Sequence, residues 1–176
     1  SIGEAMREAK DFLGVRDAMP ARPAKEFRRP PRAKCTKPQN RVREWLMGRG
    51  LTEDTIEAFQ IGEQTGGGKT YAVFPFKRDG ELVNLKYRNP DDKRDMRQEA
   101  GAEACLFGWH LVDPRVRSVA VTEGEIDAMT LYQAGIPALS VNQGAGNHQW
   151  IENDWDRLQR FSEIYLCFDD DDAGRA

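Results

Sequence analysis

Apolar residues change their spacing twice along this chain, and each change predicts a different kind of element. From residue 41 onward Val42, Trp45 and Leu46 fall on one helical face, and Thr52 stands as an N-cap before Glu53 and Asp54, with Ile56 and Phe59 turned inward. The pattern predicts a small helical hairpin. Over residues 70–76 and 81–87 the spacing becomes two, which predicts strands joined by a turn at Arg78, Asp79 and Gly80, with Pro75 marking a bulge or an edge. Residues 88–101 are polar and charged and predict a loop; residues 105–112 are apolar again. Beyond Val116 the pattern predicts strand 118–122, helix 125–135, strand 137–141, helix 148–160 and strand 163–168, the βαβ alternation of a parallel sheet. The fold class is therefore α/β, a small mixed α+β N-terminal subdomain followed by a Rossmann-like parallel-sheet subdomain. The expected units are residues 1–40, 41–115 and 116–176. Three strands make an unusually small doubly wound sheet, so the second unit is expected to be truncated and the chain a piece of a longer protein.

Ahead of these elements, residues 1–15 have helical spacing, and residues 20–38 carry five prolines among many cations. That stretch cannot build a core and predicts an extended linker, either a solvated basic tether or a strand that touches nucleic acid. The formal net charge of -3 hides this asymmetry: residues 22–43 hold nine Lys/Arg against the single Glu26, and the acids gather at 91–95 and after Glu152. Such a balance suits a polyanion held near bound cations. Cys35, Cys105 and Cys167 are far apart and lack Cys-x-x-Cys spacing, so neither a zinc site in this chain nor a disulfide framework is expected. No apolar run approaches the roughly 18 residues that span a bilayer. No membrane partner is expected, and the compartment is a reducing cytoplasm or nucleoid, with a mitochondrial matrix ranked second.

Two motifs bear on chemistry. Gly66-Gly67-Gly68-Lys69-Thr70 ends like a phosphate-binding loop, but the leading glycine would fall at Glu63, and a strand follows where a helix is needed. A hairpin or loop is expected instead. The second motif is acidic: Glu123 directly follows a strand, Asp127 lies one helical turn on, and Asp169 and Asp171 alternate after the last strand. Hard divalent cations take oxygen ligands, and Mg2+ commonly uses one or two carboxylates while phosphates and water complete its shell. Glu123, Asp169 and Asp171 fit that use, as catalytic and metal-ligating residues, with Asp127 in support or on a second metal. The competing reading is a solvated acidic turn and a carboxylate favoured by a helix N-terminus. Asn147 with the Gly144 and Gly146 amides could meet phosphate at a helix start. Trp150 and Trp155 could stack on bases, although packing is the more ordinary role.

Thr122-Glu123-Gly-Glu-Ile-Asp127-Ala followed by Phe168-Asp169-x-Asp171-x-Ala-Gly resembles the Toprim domain of primases, type IA and II topoisomerases and some nucleases. The variant is most similar to that of phage-type primase-helicases and their mitochondrial helicase relatives. Residues 72–76 and Leu85-Lys86-Tyr87-Arg88 resemble the segment that precedes the Toprim fold in those primases. The resemblance implies a DNA primase core that joins ribonucleoside triphosphates into short RNA primers on single-stranded DNA, with Mg2+ or Mn2+. It implies Lys86 as a catalytic cleft lysine, Arg88 and Arg97 as further cations, and Arg41, Arg43 and the basic linker as template contacts. A replicative helicase in cis or in trans is the implied protein partner, and the bacterial nucleoid or a phage-infected cell the implied location. A zinc ribbon ahead of residue 1 and a third acidic motif on a later strand are family features that these 176 residues do not include. Two other readings stay open: a non-catalytic Toprim module that binds single-stranded DNA within a helicase, and a Toprim nuclease or topoisomerase. The last would need a nucleophilic tyrosine, and Tyr71, Tyr87, Tyr132 and Tyr165 all fall in predicted strands or helices.

Overall fold

In a computed structural model the described residues are 26–31, 35–143 and 149–170. The helix expected over 1–15, and Gly144, Gly146, Asn147 and Asp171, lie outside them. Two helices, α1 (Asn40–Gly48) and α2 (Glu53–Ala58), lead into four strands: β1 (Gly62–Gly66), β2 (Lys69–Arg78), β3 (Glu81–Arg88) and β4 (Met96–Gln98). After a short 3-10 turn at Trp109–Leu111 come β5 (Ser118–Thr122), α3 (Glu125–Gln133), β6 (Ala138–Ser140), α4 (Gln149–Leu158) and β7 (Glu163–Cys167). The first four strands form an antiparallel sheet in the order β1-β2-β3-β4, and the last three a parallel sheet in the order β6-β5-β7.

The sequence dictates most of these boundaries. Thr52 caps α2 by accepting the Thr55 N–H at 3.3 Å. Asp79 and Gly80 both adopt positive φ and close the β2–β3 hairpin. Gly67 and Gly68 do the same between β1 and β2, so the Gly-Lys-Thr segment is a hairpin turn, as its spacing requires. Pro75 lies past the end of β1, which stops opposite Val73, and the β2–β3 register slips just beyond it, between Phe76 and Lys77. Two strands depart from expectation. β1 carries two glycines and no large apolar residue, so nothing in it alternates; β2 recruits it through the backbone ladder. β4 falls inside the stretch expected to be a loop. Two of its three residues are exposed and none carries a strand pattern, so only pairing with β3 makes them a strand.

The basic stretch also differs from a free tether where it is described. The Arg28 amide bonds to the Gly101 carbonyl at 2.9 Å, Arg29 pairs with Glu81 at 2.8 Å, and Thr36 exchanges backbone bonds with Glu63. Cys35 packs with Val73, Leu85 and Tyr87 on the outer face of the antiparallel sheet. A Cβ at Gly62 would come within 2.8 Å of the Cys35 Cβ, so this crossing needs glycine there. The linker is a strap over that face.

On the inner face Ala72, Phe74 and Phe76 meet Val42, Leu46, Phe59 and Phe107, and the same core takes in Ile126 and Met129 of α3. Phe107 is its hub, stacked on Phe59 at 5.1 Å and edge-on to Phe76 at 5.3 Å. The core therefore crosses the boundary expected near residue 115. A second core packs Val119, Val121, Leu139 and Val141 against Trp150 and Leu158. Trp150 is thus a packing residue, whereas Trp155 is 55 % exposed.

Arg78 joins the two halves from the end of β2. It donates to Asp154 of α4 and to Glu103, each at 2.7 Å, while Asp154 also accepts the Leu106 amide at 2.6 Å. Asp154 is fully buried, and burial is the main reason its pKa is raised. A raised folded-state pKa means that the native state binds the proton more readily than the unfolded chain does. Asp154 therefore favours folding most below its ordinary titration range, and that contribution is lost as pH rises through its raised folded-state value. Arg78→Ala strands this carboxylate and is expected to cost about 3 kcal/mol at neutral pH. Chemical denaturation as a function of pH should show the cost shrinking toward acid, where protonation removes the stranded charge.

Candidate active-site cleft

The two sheets face each other across a cleft of about 470 Å³ bordered by Lys86, Arg88, Gln98, Glu123, Glu125 and Asn142. Its parallel-sheet wall begins at β5. Glu123 emerges where that strand ends, and the Thr122 hydroxyl donates to the Gly124 and Leu139 carbonyls at 3.0 and 3.2 Å, fixing the turn. Asp127, in the first turn of α3, folds back so that its Oδ2 lies 2.6 Å from where a Gly124 Cβ would stand. A Cβ there would push that exposed carboxylate aside.

β5 and β7 are parallel neighbours, with Thr122 opposite Cys167. Glu123 and Asp169 thus leave paired strands at the same, carboxyl end, the usual position of ligand sites in such sheets. Asp169 is exposed, as is Asp127. Among the described residues no three His, Cys, Asp or Glu side chains come close enough to hold a metal ion. The carboxylate oxygens of Glu123 and Asp169 at one sheet end are nonetheless the donor type and number that suit Mg2+ or Mn2+.

The opposite wall is the inner face of β3. Lys86, only 9 % exposed, donates to Glu125 Oε1 at 2.6 Å and to the Asn142 carbonyl at 3.2 Å. Glu125 is 1 % exposed, on the inward stripe of α3 that includes Ala128 and Met129. Lys86 is therefore a cleft lysine clamped between the two halves. Arg88, two residues along and so on the same face, lies over the Trp45 ring at 5.4 Å.

Arg97 is placed otherwise. The β3–β4 register sets Gln98 opposite Lys86 and Arg97 opposite Tyr87. Since successive strand residues point to opposite faces, the Arg97 side chain belongs to the outer face, although the residue borders the cleft rim. Its guanidinium sits 3.8 Å from the Tyr87 ring centroid and 5.5 Å from that of Tyr71. Arg97 therefore borders the same cleft as Lys86 from its rim, with its guanidinium on the outer face of the sheet.

Arg41 and Arg43 do not form one surface either. Two residues apart on a helix, they point about 200° apart. Arg41 Nε donates to Asp91 at 2.8 Å, and Arg43 pairs with Glu53. Gln98, Asn142 and Glu125 are cleft residues to which the sequence reading gave no role there, and Trp45 backs Arg88 from α1. A carboxylate on the apolar stripe of α3 was a legible signal for Glu125; Gln98 carried none without its strand.

Residues 120–176 match the Toprim-like family. A DNA helicase/primase of enterobacteria phage T3 is 30 % identical over 135 residues, covering 74 % of this chain and 24 % of that protein. The primase fragment of the bacteriophage T7 primase-helicase has 28 % identity and a TM-score of 0.63, over 73 % of this chain and 55 % of that one. T7 primase domains solved with the phage lagging-strand DNA polymerase, an RNA/DNA hybrid and dTTP give 28 % identity and a TM-score of 0.64, over 73 % and 67 %. The chain spans about a quarter of the length of the T3 protein. Residues 120–176 therefore belong to the Toprim-like family, and across its described residues the chain has the fold of the phage-type Toprim primases.

Proposed function

We propose that this chain is the catalytic core of a DNA primase, which joins ribonucleoside triphosphates on a single-stranded DNA template. The observation that carries the reading is the cleft itself, where Lys86 from the antiparallel sheet faces the carboxylates at the carboxyl end of the parallel one. The ammonium of Lys86 has three N–H donors, and Glu125 and Asn142 take two. The third can bind a phosphate oxygen of the incoming nucleotide and hold the α-phosphate for in-line attack by a primer 3'-hydroxyl. Glu123, Asp169 and Asp171, with Asp127 behind them, would hold Mg2+ or Mn2+, which lowers the pKa of that hydroxyl and offsets triphosphate charge. The flat guanidinium of Arg88, backed by Trp45, suits a template base or phosphate.

The solved complex of T7 primase domains with a DNA polymerase and an RNA/DNA hybrid supports a template with an RNA primer, and the T3 helicase/primase supports a helicase partner in cis. The proposed setting is the cytoplasm of a bacterium or phage-infected cell. Among the described residues no helix is long and apolar enough to cross a membrane. A non-catalytic module that binds single-stranded DNA is the second reading, which needs only the cations Arg88 and Arg97 at the cleft rim. A topoisomerase has less support, since Tyr71, Tyr87, Tyr132 and Tyr165 all sit in regular elements.

The test is incorporation of labelled ribonucleotides on single-stranded DNA with Mg2+ or Mn2+. Template-dependent ribonucleotide oligomers are expected. No synthesis, with DNA binding retained, would move the conclusion to the non-catalytic module.

A further inference from the structure

β4 carries a polar side chain whose partners are all set by its neighbours. Gln98 Nε2 donates to the Asn142 carbonyl at 2.7 Å, the same oxygen that takes the Lys86 ammonium at 3.2 Å. Gln98 Oε1 accepts from Asn84 Nδ2 at 2.9 Å and from Asn142 Nδ2 at 3.4 Å. No amide in this set can be turned over. Asn84 accepts the Leu85 amide at 2.7 Å and donates to the Glu103 carbonyl at 3.1 Å, so its Nδ2 is fixed. A carbonyl only accepts, so the Gln98 nitrogen must face Asn142 and its oxygen must face Asn84. Donation therefore runs from Asn84 to Gln98 and from Gln98 to the Asn142 carbonyl, while the Asn142 side chain donates back to the Gln98 oxygen.

We infer that Gln98 is a positioning residue for Lys86: it holds the Asn142 carbonyl where that oxygen, together with Glu125, aims the ammonium at the nucleotide phosphates. The inference rests on the proposed role of Lys86 and goes beyond it by assigning a role to a residue that would touch no substrate. Strand register supports it, because Gln98 lies directly opposite Lys86 and on the same face. So does the span of the contact. Asn142 follows β6 in the parallel half, so Gln98 is the link that keeps β4 and the turn after β6 at a fixed separation across the cleft floor. Without it the carbonyl has only Lys86 to orient it, and the ammonium gains freedom that must be lost again when nucleotide binds.

The test measures ribonucleoside triphosphate binding with Mg2+ by calorimetry, for the wild type, Gln98→Leu and Gln98→Glu, with affinity for oligo(dT) measured in parallel. Gln98→Leu removes the donor; Gln98→Glu keeps the shape and the acceptor while putting an oxygen against the Asn142 carbonyl. Both should weaken nucleotide binding about tenfold and leave oligo(dT) affinity within about twofold. A general structural role would give that loss in any background. The decisive comparison therefore repeats Gln98→Leu with Lys86→Ala and Glu125→Gln, where no buried carboxylate is stranded; there the substitution should have no further effect. Wild-type nucleotide affinity in both Gln98 variants, or an undiminished tenfold loss in the background lacking Lys86, overturns the inference and leaves the primase reading standing. A wild type that binds DNA but no nucleotide overturns both.

Discussion

Glu123→Gln is expected to remove ribonucleotide incorporation by more than about 100-fold, since even partners behind a metal ligand are commonly worth 10- to 100-fold. Glutamine keeps the length and one oxygen but loses the charge that makes the group a strong ligand for a hard divalent cation. The side chain sits at the mouth of the β5–α3 turn, which is braced by the Thr122 hydroxyl and the fold-back of Asp127 over Gly124. Thermal unfolding and affinity for single-stranded DNA, measured on the same variant, separate the loss of a metal ligand from loss of the fold; both should stay close to wild type. Retained incorporation in Glu123→Gln would remove this carboxylate from the metal site and shift the chemistry to the Asp169 end.

Lys86→Ala should show two losses that can be separated. Nucleotide binding falls because the phosphate contact is gone. Stability falls as well, by about 3 kcal/mol, because Glu125 is left charged and unpaired with its side chain only 2 % exposed. Adding Glu125→Gln should restore most of the stability and none of the nucleotide binding. Denaturant melts of the three variants check the first statement, and calorimetry with a ribonucleoside triphosphate the second. Recovery of nucleotide affinity in the double variant would mean that Lys86 is a structural half of an ion pair, with no part in binding substrate.

The elements legible in the sequence were those whose signal is local. α1, α2, the β2–β3 hairpin and the whole βαβ run follow from period and punctuation, and their ends fall within two residues of expectation. Glu123 and Asp127 could be placed because a strand end and a turn glycine fix where they stand, whereas Lys86 came from the resemblance of Leu85-Lys86-Tyr87-Arg88 to the segment ahead of a Toprim fold. What stayed hidden depends on partners distant in sequence. β1 and β4 have no pattern of their own, and without β4 the face that carries the Arg97 side chain could not be told. The strap over the outer face was hidden for the same reason, since its prolines and cations describe a solvated chain equally well. Composition alone could not separate Arg41 from Arg43, because net positive charge in a segment says nothing about which sides of a helix carry it.

The core that takes in Ile126 and Met129 alongside Phe74 and Phe107 has a mechanical consequence. A cleft between two independent lobes can widen by a hinge and clamp down on what enters. Here the lobes share their packing, and Arg78 pins them together, so prising them apart would expose buried aromatic rings. The walls are cast as one piece. Entry and release of substrates must be managed at the mouth, by side chains and turns, while the distance between the lysine and the carboxylates stays fixed from the moment the chain folds.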